Sequence, residues 1–518
     1  MLFTLTATGG VRYKGAGCWR TVTAKQKAAA RKTRAPQGAE NGRNIIVGKK
    51  RGLVILAEFP DKKFRSSNNP EKYNNILNTP GYTTNEGFKG SVADYFKDQS
   101  GGLFDLQFDI AGPYTTKHNA RYYGKNDDDG FDEYAHEMIY EMCLAADSDV
   151  NYSDYDWDGD GEVDEVFVLY AGKGEVDGGG ATTIWPHMWT MDEAGLQINL
   201  DGVKINTYAC ANELTSSGTI NGIGTFCHEF SHCMGFPDFY DLYYTGLFGM
   251  GDLDLMAGGN YRGNSFLPVG YTAYEKMVCG WKEPIVLSNK DVVVDSLKPI
   301  SEHGDTYIIY NDASPNEFYM IENRQRTGWD KDYPAQGLMI THVDYDAEVW
   351  LNNIPNSILT YQEAIEEGYT CGNDHERMVL FHADNDDDSA YWSVAGYYRK
   401  NTKSTDLFPY QRNDSLTATS IPAATLFYKN SQGKKFMQGS ILDIKQNSDG
   451  TIGFRYRAGT SNTADGIQTI GYGRETTAGH CQPSGLYDLQ GRKVSTPASS
   501  SVKKGLYIQD GHLVMKSR

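Results

Sequence analysis

The 518-residue chain has no uninterrupted apolar run of eighteen residues, no Cys-x-x-Cys spacing and no excess of positive charge beyond its first 51 positions. The first absence excludes a membrane-spanning helix. The second excludes a zinc ribbon or a thioredoxin-like centre; the cysteines at 18, 143, 210, 227, 233, 279, 371 and 481 are scattered, permitting disulfides without a framework. The third argues against a nucleic-acid partner. With 39% hydrophobic and 12% aromatic residues the chain is not disordered. At roughly 100–200 residues per domain it has room for about three units.

The net charge of −18 is unevenly spread: residues 1–51 carry twelve of the 49 Lys and Arg and one acid, Glu40, leaving −29 on the remainder. The first residues show no secretory leader, because Met1 to Thr6 lack a preceding positive charge and a sufficient apolar stretch. The basic segment 1–50 reads as a solvated linker, or as a truncated or misassigned start.

Leu53-Val54-Ile55-Leu56-Ala57, stopped by Pro60, reads as a buried strand opening the first domain. Tyr134, Met138, Met142 and Ala146 recur every four residues and predict an amphipathic helix. Val166 to Tyr170 is a second β-type run. From Lys282 the texture changes to short strand-like runs between Asn, Asp and Gly turns, predicting an all-β region over 286–460. A Ser/Thr/Gly/Asn linker at 459–465 precedes two short strand signals in 485–518.

The most specific signal is His228-Glu229-Phe230-Ser231-His232-Cys233-Met234-Gly235-Phe236-Pro237-Asp238. On a helix, Ile223, Phe226, Cys227, Phe230 and Met234 fall within roughly 100° of arc, with His228 and His232 nearly opposite. One face packs on a core; the other offers two imidazoles that can share a tetrahedral metal, for which zinc is best suited. Gly235 can adopt the left-handed backbone that ends the helix and returns Asp238 as a third ligand. A fourth position stays open, a catalytic pattern, and Glu229 is placed to take a proton from the metal's water and pass it to a leaving amine. Cys227 and Cys233 point away from the imidazoles and read as core residues.

His228 to Asp241, with Gly249-Met250-Gly251 and Asp254-Leu255-Met256, resembles the immune inhibitor A family of secreted zinc metallopeptidases, related to the metzincins. The resemblance covers about residues 50–460. It implies an α+β, metzincin-like fold with a twisted sheet and an active-site helix. By position it implies zinc on His228, His232 and Asp238, Glu229 as general base and Met256 as the Met-turn residue. Tyr261 as a transition-state donor and His187 in the cleft are weaker carry-overs.

Asp154-Tyr155-Asp156-Trp157-Asp158-Gly159-Asp160-Gly161-Glu162-Val163-Asp164-Glu165 fits a calcium loop in two registers, starting at Asp154 or at Asp156. The second is preferred because Val163 then leads into the strand at 166–170; its ligands are Asp156, Asp158 and Asp160, completed by Asp164 or Glu165. Seven acids in twelve residues repel one another strongly without a cation. Residues 485–518 resemble C-terminal modules of bacterial proteins exported by type nine or related secretion.

The sequence reading is thus a secreted or cell-surface zinc endopeptidase cutting protein or peptide substrates. Its catalytic domain spans 51–285, a β-sandwich-like accessory domain 286–460, and a linker with a small β sorting-like module 461–518. The rival from another class is a calcium-stabilised surface adhesin with a vestigial peptidase site; a metal-dependent hydrolase of another bond is a third reading.

Overall fold

The structure, a computed structural model, describes residues 46–127, 130–387, 391–394, 397–400, 402–459, 486–487, 505–509 and 512–516. Cys18, Cys481 and the basic residues before 46 lie outside the described residues, as does most of the C-terminal segment.

A five-stranded sheet organises the first half. Its strands are β1 (Gly48–Glu58), β2 (Phe104–Thr115), β3 (Val166–Lys173), β4 (His187–Thr190) and β5 (Thr207–Leu214), in the spatial order β2-β1-β3-β5-β4. The first four neighbours run parallel, and β4 closes the edge antiparallel to β5. Strands covered on both faces read as continuous apolar runs. That is why Leu53 to Ala57 shows no alternation: Leu53, Ile55 and Ala57 enter one core, Val54 and Leu56 the other.

The first core is closed by helix α3 (Ala135–Ala146), which buries Met138, Ile139, Met142, Cys143 and Ala146, as its four-residue spacing predicts. The second core receives α1 (Pro70–Asn78), α2 (Val92–Gln99) and α4 (Gly224–Cys233). Asn69 caps α1, and Ser91 with Asp94 forms a capping box on α2. Helix α4 carries the His-Glu motif and is seated by aromatic packing. Phe226 stacks on Phe167 with centroids 3.9 Å apart, and Phe230 meets Phe96 at 5.0 Å and Phe108 at 5.7 Å. Its first residue must be glycine, since a Cβ on Gly224 would lie 1.9 Å from the Asn260 carbonyl oxygen.

After α5 (Ala273–Val278) the chain builds a five-stranded sheet from Ile285–Val286, Tyr307–Asn311, Ser314–Arg324, Gly337–Asp344 and Met378–Leu380. A three-stranded sheet of Val292–Leu297, Ile452–Arg457 and Ser440–Gln446 packs on one of its faces through Leu297, Ile309, Ile340, Ile441 and Phe454. Its other face, with Ile308, Phe318, Met320, Met339 and Val343, joins the core of α4 and α5. The apolar core is therefore continuous across position 285.

The all-β expectation for 286–460 needs correction, because two short helices, Ala347–Leu351 and Tyr361–Glu366, interrupt it. Their caps explain them: Asp346 accepts from the Glu348 and Val349 amides, and Thr360 with Glu363 forms a capping box. The whole is a mixed α/β structure. At the far end Leu486–Tyr487, Gly505–Gln509 and His512–Lys516 pair as a small antiparallel sheet. Among the described residues no helix is long and apolar enough to cross a membrane.

Candidate metal centre

His228 and His232 project from α4 one turn apart, their ring centroids separated by 4.7 Å at an interplanar angle of 84°. His228 Nδ1 lies 2.8 Å from the Leu255 carbonyl oxygen and His232 Nδ1 2.7 Å from that of Phe236. Donation to those carbonyls puts the ring proton on Nδ1 and leaves each Nε2 a lone pair, the tautomer a metal ligand needs. The helix ends at Gly235, whose φ of +100° lets the chain reverse. The reversal brings Asp238 Oδ1 to 3.3 Å from both Nε2 atoms. Asp238 is locked in turn by Asn353, which accepts from its amide and donates to Oδ2 at 2.9 Å.

His228, Glu229 and Asp238 are completely buried and His232 nearly so. Both Nε2 atoms, Asp238 Oδ1 and the two oxygens of Glu229 have no hydrogen-bond partner. Each such buried atom costs about 1–3 kcal/mol, so the convergence of the two Nε2 atoms on Asp238 Oδ1 calls for an occupant. Two neutral imidazole nitrogens and one carboxylate oxygen, with a side left open, suit a divalent ion of zinc's preferences.

The electrostatics agree. Burial pushes the Asp238 carboxyl up, but His232 and His228 more than reverse this and hold it below the ordinary range. Burial pushes the His228 imidazole down, yet Asp238 and Glu229 raise it to about 9, so a positive charge at this point is strongly favoured. Glu229 is raised by burial to about 7, against the pull of His228 and His232, which suits a group that must accept and return a proton near neutrality.

The turn Asp254-Leu255-Met256 lies against this arrangement. The Leu255 carbonyl receives His228, the Met256 carbonyl receives the Phe239 amide at 2.7 Å, and Asp254 Oδ1 accepts from the Met256 amide at 2.7 Å. Behind it lies a buried ionic network that the sequence reading missed. Arg324, with no exposed surface, bonds Glu322 Oε1 at 2.5 Å and Asp330 Oδ2 at 2.9 Å, and also the carbonyls of Gly270 and Tyr271 at 3.0 Å. Burial raises the carboxyls of Asp254 and Glu275, and Asp254 raises Glu275 further, while Arg324 opposes both shifts.

Met256 is buried beside the site. Tyr261 lies on the 3-10 segment Gly258–Ser265 that follows the turn, about 38% exposed. His187 lies on β4 opposite Cys210, with its Nδ1 2.6 Å from the Trp185 carbonyl oxygen and its Nε2 3.2 Å from the Tyr208 hydroxyl.

The acidic loop is pinned to β1: the Trp157 indole donates to the Arg51 carbonyl at 2.7 Å, and Lys50 Nζ donates to the Trp157 carbonyl at 2.6 Å. Asp156, Asp158 and Asp164 offer oxygens within 4.8 Å of one another. Gly159 and Gly161 both take positive φ, 76° and 92°, to let the loop fold around them. Asp154 is drawn off by Arg51, against the first register. Two expected ligands are not in the cluster: Asp160 Oδ1 turns back to the Glu162 amide at 2.9 Å, and Glu165 is buried over Gly52 on β1. Burial, then the neighbouring acids, pushes Asp160 up to about 6 and Asp164 well above the usual range. In a further cluster of His382, Asp384 and Asp406, the Lys403 ammonium already supplies positive charge, 3.0 Å from Asp384 and 3.1 Å from Asp386.

Residues 46–278 match the family described as immune inhibitor A peptidase M6, catalytic domain. The pre-pro-metalloprotease PrtV of Vibrio cholerae serotype O1 is 30% identical over 243 residues, 39% of this chain and 26% of the relative. Immune inhibitor A of Bacillus thuringiensis subsp. alesti is 27% identical over 303 residues, 48% of this chain and 42% of the relative. The chain thus spans between a quarter and less than half the length of these relatives. The His-Glu motif, the returning aspartate and the turn at Met256 all lie inside the region that matches the catalytic domain of the immune inhibitor A, or M6, peptidases.

Proposed function

We propose that the protein is a zinc-dependent endopeptidase, with His228 Nε2, His232 Nε2 and Asp238 Oδ1 as metal ligands and Glu229 as general base. The observation that carries this is the convergence of three buried, partnerless atoms, His228 Nε2, His232 Nε2 and Asp238 Oδ1, with the equally buried and partnerless Glu229 carboxylate on the same helix as the two histidines. Zinc bound there supplies a Lewis acid that acidifies water and polarises a carbonyl. The protein's own contribution is orientation and proton traffic: the Leu255 and Phe236 carbonyls fix the imidazole tautomers, and the Glu229 carboxylate takes a proton and delivers it to the departing amine. The fold around the site reads as metzincin-like, with Met256 in the supporting turn.

Around this centre we place a catalytic domain at 51–285, a β-rich accessory domain at 286–460 joined to it by the continuous core, and a sorting-like tail at 461–518. Calcium on Asp156, Asp158 and Asp164 would relieve the repulsion in the acidic loop and stiffen α4 from behind, since Trp157 packs on Phe230 at 6.2 Å. The substrates are proteins or peptides met outside the cytoplasm, where calcium is plentiful. Casein cleavage by the full chain tests the mechanism. Glu229→Gln should abolish it while retaining one zinc by elemental analysis; undiminished cleavage by that variant refutes the assignment.

A further inference from the structure

The third ligand of the proposed centre is held from outside the matched catalytic region. Asn353 has no exposed surface and sits in the left-handed region at φ +58°, where asparagine is among the few side chains that settle readily. Its amide grips Asp238 at two points: Oδ1 accepts from the Asp238 backbone N–H at 2.5 Å, and Nδ2 donates to Asp238 Oδ2 at 2.9 Å. With Oδ2 engaged, only Oδ1 of the carboxylate is left to face the two imidazoles.

Two further contacts tie this segment to the chain beyond the ligand, neither of them touching Asp238. Asn356 Nδ2 donates to the Phe239 carbonyl at 2.9 Å, and Ser357 Oγ accepts from the Leu242 amide at 2.8 Å. The segment 353–357 is itself held rigid, because Asn373 Nδ2 reaches the Ile354 and Ser357 carbonyls at 2.8 and 3.1 Å, and Arg377 Nε holds Asn373 Oδ1 at 2.7 Å.

We propose that Asn353 is a positioning residue of the metal centre, orienting Asp238 as a one-oxygen ligand, so that the centre is completed by a segment 115 residues beyond that ligand in sequence. The proposal rests on the zinc reading given above. A carboxylate free to rotate could offer either oxygen, or turn away from the imidazoles. A carboxylate clamped at its amide and one oxygen presents the other in a fixed direction, and loss of such outer partners typically weakens metal binding about 10–100-fold.

The test is zinc affinity of the full-length protein, by competition with a chromophoric chelator. Asn353→Gly tolerates the left-handed backbone and removes only the clamp; Ser357→Ala removes a neighbouring staple without touching Asp238; His228→Ala removes a ligand. Asn353→Gly should weaken zinc binding about 10–100-fold while Ser357→Ala stays within about twofold, with far-UV circular dichroism unchanged in both. If Asn353→Gly does not fold, Asn353→Asp, similar in shape but lacking the Nδ2 donor, replaces it with the same expectation. Wild-type zinc affinity in the Asn353 variant, or equal weakening by Ser357→Ala, overturns the positioning role. Wild-type affinity in His228→Ala instead overturns the zinc reading itself.

Discussion

Arg324→Met should destabilise the protein by an amount that grows with pH. The guanidinium is wholly buried and makes four hydrogen bonds, two of them to the carboxylates of Glu322 and Asp330. Methionine preserves much of the volume and removes the charge, leaving carboxylates buried without their partner. Breaking one side of a buried pair in this way costs about 3–5 kcal/mol, a large share of the roughly 5–15 kcal/mol that keeps a domain folded. The carboxyls can relieve part of that cost by taking protons. Burial already raises Glu322, with Arg324 opposing the shift, so the substitution raises its folded-state value further above the ordinary one. Between the two values the native state binds more protons than the unfolded chain, and stability therefore falls as pH rises. Each added pKa unit is worth about 1.4 kcal/mol, so the penalty should be about 1–3 kcal/mol larger at pH 8 than at pH 5. Urea unfolding followed by tryptophan fluorescence, as the difference from wild type at each pH, measures it. A loss below about 1 kcal/mol at pH 8, or the same loss at both pH values, would show that the buried pairing does not stabilise the fold as argued.

Phe230→Ala should cost about 3–5 kcal/mol, because the ring packs against Phe96, Phe108, Trp157 and Phe226 behind the histidines; a thermal midpoint close to wild type would contradict that. Calcium should raise the thermal midpoint of the wild-type chain and leave that of Asp156→Asn/Asp158→Asn unchanged, as scanning calorimetry with and without the ion will show. Because Asp238 and Glu229 raise His228 to about 9, zinc uptake at pH 7.5 should release close to one proton, and apparent affinity should climb with pH up to that value. Titration calorimetry in buffers of different ionisation enthalpy reads the release directly, and proton-neutral binding would show that His228 carries no extra proton in the metal-free protein.

The legible part of the molecule is the part whose physics is local. The placement of His228 and His232 on one helix face, the return of the chain at Gly235 and the buried run Leu53 to Ala57 follow from periodicity and backbone preference over a dozen residues, and the structure has each of them. His187 marks the limit of such local reading: a single histidine beside a strand-like run has no phase until its pairing with Cys210 is known, and a one-residue shift would move it to the other face. The same limit applies to the acidic loop, where alternating acids suggested Asp160 and Glu165, while the carboxylates that the folded loop brings together are Asp156, Asp158 and Asp164. Asn353, Glu322, Arg324 and Asp330 had no signature at all. Each is an ordinary polar residue whose role exists only because the face of Ser314–Arg324 and the segment at 353–357 fold against the peptidase core. A metal ligand can be read from its own helix, whereas the groups that aim the ligand come from wherever the tertiary fold supplies a donor at hydrogen-bond distance. Truncations drawn at the end of a sequence-defined catalytic domain are therefore expected to cut through the metal centre, even though every ligand lies inside the boundary.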